Sequence, residues 1–101
     1  MIVVRFKVQA QPDQRERVLA ALRAVVGPSR ELDGVVSFDI GADVSDPDSF
    51  VAIEVFADRQ ALQRQESLPE VTKALDVLGQ SLTTEPEATI FNVSSSDPWG
   101  E

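Results

Sequence analysis

Phe50-Val51-Ala52-Ile53-Glu54-Val55-Phe56 is the stretch on which the fold turns. In an extended chain Val51, Ile53 and Val55 stand on one face. Phe50, Ala52 and Phe56 stand on the other, where Glu54 is the single break. A strand that is apolar on both faces is covered on both faces. Just before it, Ser45-Asp46-Pro47-Asp48 makes a short connection to Val35–Val44, where Val36, Phe38 and Ile40 share a face. Two β-like runs joined this way read as a hairpin, and the turn signal Asp33-Gly34 opens its first strand.

Working outward, Ile2 to Gln9 alternates Ile2, Val4, Phe6 and Val8 against Arg5 and Lys7, a strand with one buried face. Pro12-Asp13 follows, and Asp13 with Glu16 three residues on has the form of a capping box. Val18, Leu22, Val25 and Val26 recur at helical spacing, so a first helix is expected over Asp13 to Leu32, with Gly27-Pro28 bending or interrupting its last third. A second helical region runs from Arg59 to about Leu82 on a stripe of Leu62, Val71, Leu75 and Leu78, with Pro69 splitting it in two. Ala88 to Val93 is the last strand.

The order is βαββαβ, an α+β chain of the split-βαβ, ferredoxin-like kind. The crossover rule places both helical regions on one face of a four-stranded antiparallel sheet. The other face then meets water or a second molecule, with Phe50, Phe56 and either Ile90 or Phe91 as candidates to point that way. A second copy of the chain is the simplest cover. Residues 1–95 make one domain, and 96–101, with Asp97-Pro98-Trp99, an irregular tail.

Composition narrows the chemistry. The chain of 101 residues has 17 acidic against 9 basic side chains, a net charge of −8. Duplex nucleic acid and anionic membrane surfaces are therefore repelled rather than steered in. The same acidity suits either a protein kept soluble in high salt or an ordinary acidic protein. His, Cys and Tyr are absent. No thiol nucleophile, disulfide or His-based triad can be assembled from this chain, nor a haem held by its own His, Cys or Tyr. A zinc site, which draws on His or Cys, is not expected, and acid–base work falls to Asp, Glu or Lys. The N-terminal run is interrupted by Arg5 too early for a signal peptide, and no apolar run approaches the roughly 20 residues of a membrane span. A cytoplasmic protein is expected.

Val3-Val4-Arg5-Phe6-Lys7-Val8, Gly34-Val35-Val36-Ser37-Phe38-Asp39, Asp46-Pro47-Asp48-Ser49-Phe50-Val51-Ala52-Ile53-Glu54 and Ala61-Leu62 carry a resemblance. By their order and spacing, up to Val93, the chain resembles the antibiotic biosynthesis monooxygenase family among the dimeric α+β barrel proteins. The resemblance implies a homodimer whose sheets share a barrel, with a pocket between sheet and helices in each subunit. It implies oxygenation of a quinol or polycyclic aromatic by molecular oxygen, with neither metal nor flavin as cofactor. Members commonly carry Trp where this chain has Phe56, His where it has Gln65 and Glu70, and aromatics at Gly41-Ala42. Gln65 cannot accept a proton at neutral pH, so the usual candidate base is gone.

The candidate residues follow, each with its plainer reading. Phe38 and Phe56 either line a pocket for a flat ring or simply fill the core. Gln65 is either a polar pocket residue or an exposed helix residue beside Arg64 and Glu66. Asp39 and Glu54 are expected to share the second sheet face, where Glu54 meets Arg5 in an ion pair or one of the two serves as base. Asn92 points either way from the last strand. Trp99 caps a partner subunit or pocket mouth, or sits in a loose tail. With no Gly-rich phosphate loop, no nucleotide cofactor is assigned. Besides the oxygenase, two readings stay open on the same scaffold. One is a non-catalytic barrel that binds a small apolar molecule or serves as a stress or accessory protein. The other is an isomerase or cyclase using Asp39 or Glu54.

Overall fold

The alternation of Ile2 to Gln9 fixes the orientation of everything else in the computed structural model, which describes residues 1–100. This strand, β1 (Ile2–Gln9), is central and buries Ile2, Val4 and Val8. It is followed by a 3-10 turn at Pro12–Gln14 and then by α1 (Arg15–Arg30), β2 (Val35–Asp43), β3 (Asp46–Phe56), α2 (Arg59–Glu66), α3 (Pro69–Ser81) and β4 (Glu87–Asn92). The strand order is β2-β3-β1-β4, antiparallel throughout, in an open sheet of the ferredoxin-like α+β type. Among the described residues no helix is long and apolar enough to cross a membrane.

Several local expectations need correction. Asp13 lies inside the 3-10 turn, and neither Gln11 nor Gln14, the residues at the two helix starts, makes a side-chain cap. The capping box is therefore absent. The turn is instead tied to the hairpin by Arg15, whose Nε donates to the Pro47 carbonyl at 2.6 Å and whose guanidinium lies 5.3 Å from the centre of the Phe50 ring. Helix α1 continues through Pro28 to Arg30 rather than breaking there. The hairpin is tighter than expected, with only Val44 and Ser45 between β2 and β3. The extra length of β3 is taken up in a bulge, since Ala42 pairs with Phe50 while Asp43 pairs with Asp46. Pro47 lies inside that bulge, where no ladder hydrogen bond is asked of it. A second irregularity between Val35 and Ser37 turns Val36 out to 62% exposure, so Val35 replaces it against the core.

The largest correction concerns β3. Its register with β1 sets Phe56 opposite Ile2, Glu54 opposite Val4, Ala52 opposite Phe6 and Phe50 opposite Val8. Phe50 and Phe56 therefore face the helices, not the open side, and Val51, Ile53 and Val55 take the open face. Composition leaves the choice open, because both faces of β3 are apolar. Size supplies a physical reason for the outcome. Phenylalanine buries more area than valine and fills the deep space under the helices, while the β-branched residues suit the shallower open face.

The core is two adjoining clusters between sheet and helices. One joins Ile2, Val4, Phe38 and Phe56 to Val25 of α1, Ala61 and Leu62 of α2 and Ala74 of α3. The other joins Val8, Ala10 and Phe50 to Val18, Leu22 and Leu78. Pro69 does split the second helical region, and the first of its halves starts at Asp58, whose carboxylate accepts from the Ala61 N–H at 2.9 Å. No residue of β4 belongs to either cluster, and all six of its residues are exposed. The helices thus roof three strands and leave the fourth bare.

Candidate functional site

Glu54 is the one ionisable side chain at the helix-facing positions of the sheet short of its bulged end, where Asp46 and Asp48 lie. Those positions are Ile2, Val4, Phe6 and Val8 on β1, and Phe50, Ala52, Glu54 and Phe56 on β3. Across from them stand Val35, Phe38, Ile40 and Ala42 on β2, and Ala88, Ile90 and Asn92 on β4. Glu54 is only 8% exposed, flanked across the sheet by Val4 and Phe38. The described residues form three ion pairs, Lys7–Asp43, Arg15–Glu16 and Arg30–Asp39, and Glu54 is in none of them. Burial removes the water that would stabilise its charge, and the Glu66 carboxylate at the end of α2 adds like-charge repulsion. Together they push the Glu54 carboxyl from 4.5 up to about 7. A carboxylate with that affinity for protons can act as a general base near neutral pH.

The expected partnership of Arg5 with Glu54 does not form. Arg5 stands opposite Ile53 and Thr89 on the open face, because residues adjacent in a strand point to opposite sides. For the same reason Asp39 and Glu54 do not share a face. Asp39 pairs with Ile53, whereas Phe38 pairs with Glu54. The Asp39 side chain is 70% exposed and accepts from Arg30 Nη2 at 3.0 Å, while Arg30 Nε donates to the Phe38 carbonyl at 2.9 Å.

Gln65 is buried at 5% exposure, not a surface residue. Its Nε2 donates to Ser29 Oγ at 3.2 Å, joining α2 to α1 through a buried polar contact. Ser29 is fully buried and was not among the sequence candidates. A signal for it existed, since Val18, Leu22, Val25 and Ser29 continue one helical stripe. Phe38 and Phe56 are core residues at 2% and 0% exposure, in the same cluster as Leu62 and Ala74, so they wall Glu54 in. Phe56 takes no part in the open face. Asn92 sits opposite Ile2, which places it on the helix-facing side, on the unroofed strand. Trp99 is fully exposed in the segment after β4 and joins none of these residues.

Two surface concavities lie away from Glu54. One, of about 220 Å³, is lined by Lys7, Gln9, Asp46, Ser49 and Glu87 among others. The other, wider at about 500 Å³, lies between Leu32 and the Gln60–Ser67 side of α2. The pocket implied between sheet and helices is thus not one of these two hollows. Across β1 from Glu54, beyond buried Val4, the unroofed strand presents Ile90, 46% exposed.

These features define a ferredoxin-like domain with a lone carboxylate recessed between its sheet and its helices. The family model described as antibiotic biosynthesis monooxygenase matches residues 1–77. The chain belongs to that family. Among solved structures, Rv0793 from Mycobacterium tuberculosis superposes with a TM-score of 0.88 at 24% identity, covering 96% of this chain and 98% of that one. A crystallised antibiotic biosynthesis monooxygenase superposes with a TM-score of 0.85 at 22% identity, covering 94% and 100%. An uncharacterized protein of Synechocystis is 25% identical over 95 residues, which is 94% of this chain and 65% of that protein, so the chain spans just under two thirds of that relative.

Proposed function

We propose that this chain is a cofactor-independent monooxygenase that oxidises a quinol or polycyclic phenolic compound with molecular oxygen. The observation that carries the reading is Glu54, a carboxylate without a cation, walled by Phe38, Phe56 and Val4 and poised to take a proton near pH 7. Family membership supports the same class of reaction. For an anthrone, Glu54 removes a proton to give the enolate, which supplies the electrons to oxygen. One oxygen atom becomes the new ring carbonyl. The other leaves as water with the two hydrogens lost from the ring methylene. Burial favours the neutral acid that Glu54 becomes, so the proton transfer runs with the environment rather than against it.

Phe38, Phe56 and Gln65 are already packed, and this favours a second reading, a binding domain without turnover. Oxygen consumption separates the two. The purified protein is mixed with naphthalene diols and anthrones, with buffer autoxidation and an unrelated acidic protein as controls. Uptake above both controls that falls at least about 100-fold in Glu54→Gln is expected from a general base. Uptake equal to the controls across the panel moves the chain to the binding reading.

The open face of the sheet carries Val3, Val51, Val55, Ile53 (41% exposed) and Phe91 (47% exposed). We read it as the face that a second copy covers. Sedimentation of the wild type as a dimer, and of Ile53→Glu as a monomer, is the expected outcome. A monomeric wild type at micromolar concentration refutes it.

A further inference from the structure

We infer that the site around Glu54 selects its ligand by charge, admitting ring compounds whose polar group is an uncharged hydroxyl and rejecting those that carry a carboxylate or sulfonate. The inference rests on the reading of Glu54 as the centre of the site, but not on turnover. Its ground is the charge census of the helix-facing sheet. From Phe50 to Phe56 and at the positions beside them on the other three strands, only Glu54 is ionisable, and the next ionisable groups along β3, Asp48 and Asp46 at its bulged end, are acidic as well. The basic residues of β1, Arg5 and Lys7, lie on the opposite face, and Lys7 is paired with Asp43. Of the two basic residues on α2, Arg59 is exposed at the start of the helix and Arg64 is turned away to the Asp33 carbonyl at 2.9 Å. The charge that does act on Glu54 is another carboxylate, Glu66.

An anionic ligand group here meets at least one buried like charge, with no cation among the sheet positions to offset it. Like charges held close where water is scarce repel far more strongly than on a surface. An uncharged hydroxyl instead finds a strong acceptor, and its hydrogen bond to a carboxylate is charge-assisted. The rejection is local, so it survives salt that would screen the overall charge of −8.

The test compares 2-naphthol with 6-hydroxy-2-naphthoate, which differ by one carboxylate and resist autoxidation, by equilibrium dialysis at pH 8.5 in 0.5 M salt, where Glu54 is ionised and cannot relieve the repulsion by taking up a proton. Binding of 2-naphthol at least about tenfold tighter is expected, the size of one close charge repulsion at partial burial. Glu54→Gln is expected to shrink the gap to about threefold or less, Glu66→Gln to narrow it in part, and the surface control Glu31→Gln to leave it unchanged. Equal binding of the two compounds, failure of both to bind, or a gap that persists in Glu54→Gln overturns the inference. A gap that behaves as expected, beside no oxygen uptake with 1,4-dihydroxynaphthalene, refutes the oxygenase reading and leaves the charge selection standing.

Discussion

Replacing Glu54 by Gln should make the protein more stable above neutral pH and leave it unchanged in acid. In the folded chain burial pushes the carboxyl up to about 7, against its ordinary value of 4.5 in the unfolded chain. Below pH 4.5 both states hold the proton, and Glu54 contributes no pH dependence. Between 4.5 and about 7 the folded state keeps a proton that the unfolded state has released, so stability falls as pH rises. Above about 7 both states are ionised and the loss is complete. At about 1.4 kcal/mol per pH unit that interval integrates to about 3 kcal/mol, a large share of the stability of a small domain. Gln has the same shape without the charge but still buries a polar amide, so about 2 kcal/mol of the loss is recovered at pH 8. Urea unfolding of both proteins from pH 4.5 to 8.5, at one protein concentration, measures the effect. The two curves of stability against pH should coincide near pH 4.5 and separate through pH 6 to 7.5, with a urea midpoint difference of about 2 M at pH 8. A wild-type stability that stays level or rises across that interval, with no gain in the variant, refutes the claim that Glu54 is a desolvated, unpaired carboxylate.

Gly34→Ala should cost about 2–4 kcal/mol in denaturant unfolding, because Gly34 has φ +83° and an added Cβ would lie 2.7 Å from Ala61 Cβ. A loss under 1 kcal/mol would mean that α2 shifts freely away from the turn. Ser29→Ala removes the hydrogen-bond partner of buried Gln65 and should cost about 1–2 kcal/mol, with faster amide exchange in α2. Asp39→Asn, at an exposed ion pair on the opposite face from Glu54, should change stability by less than about 0.5 kcal/mol and leave oxygen uptake at the wild-type rate. A loss of uptake in that variant would return Asp39 to the list of bases.

The order of elements, and therefore the fold, was legible in residue pattern. The alternation of Ile2–Gln9 allows one buried face only, Pro69 cannot sit inside a helix without breaking its ladder, and two βαβ-like halves around a hairpin admit few topologies. The absence of His, Cys and Tyr limited proton transfer to Asp, Glu and Lys, and Glu54 and Gln65 both stood among the candidates. What the pattern could not decide was which side of β3 faces the helices. Both of its sides are largely apolar, and a shift of one residue in register exchanges them. Only the pairing of β1 with β3 settles that Phe50, Glu54 and Phe56 point inward. The same pairing separates Glu54 from Arg5 and from Asp39, turning an ion pair expected at the dimer seam on the second sheet face into a buried carboxylate. Bulges at Val35–Ser37 and Ala42–Asp43, which exchange Val36 for Val35 in the core, arise from the fit between neighbouring strands rather than from either strand alone. Local periodicity is a property of consecutive residues, so it specifies elements. Burial, charge environment and proton affinity belong to residues brought together from different strands, so for Glu54 they exist only in the folded sheet.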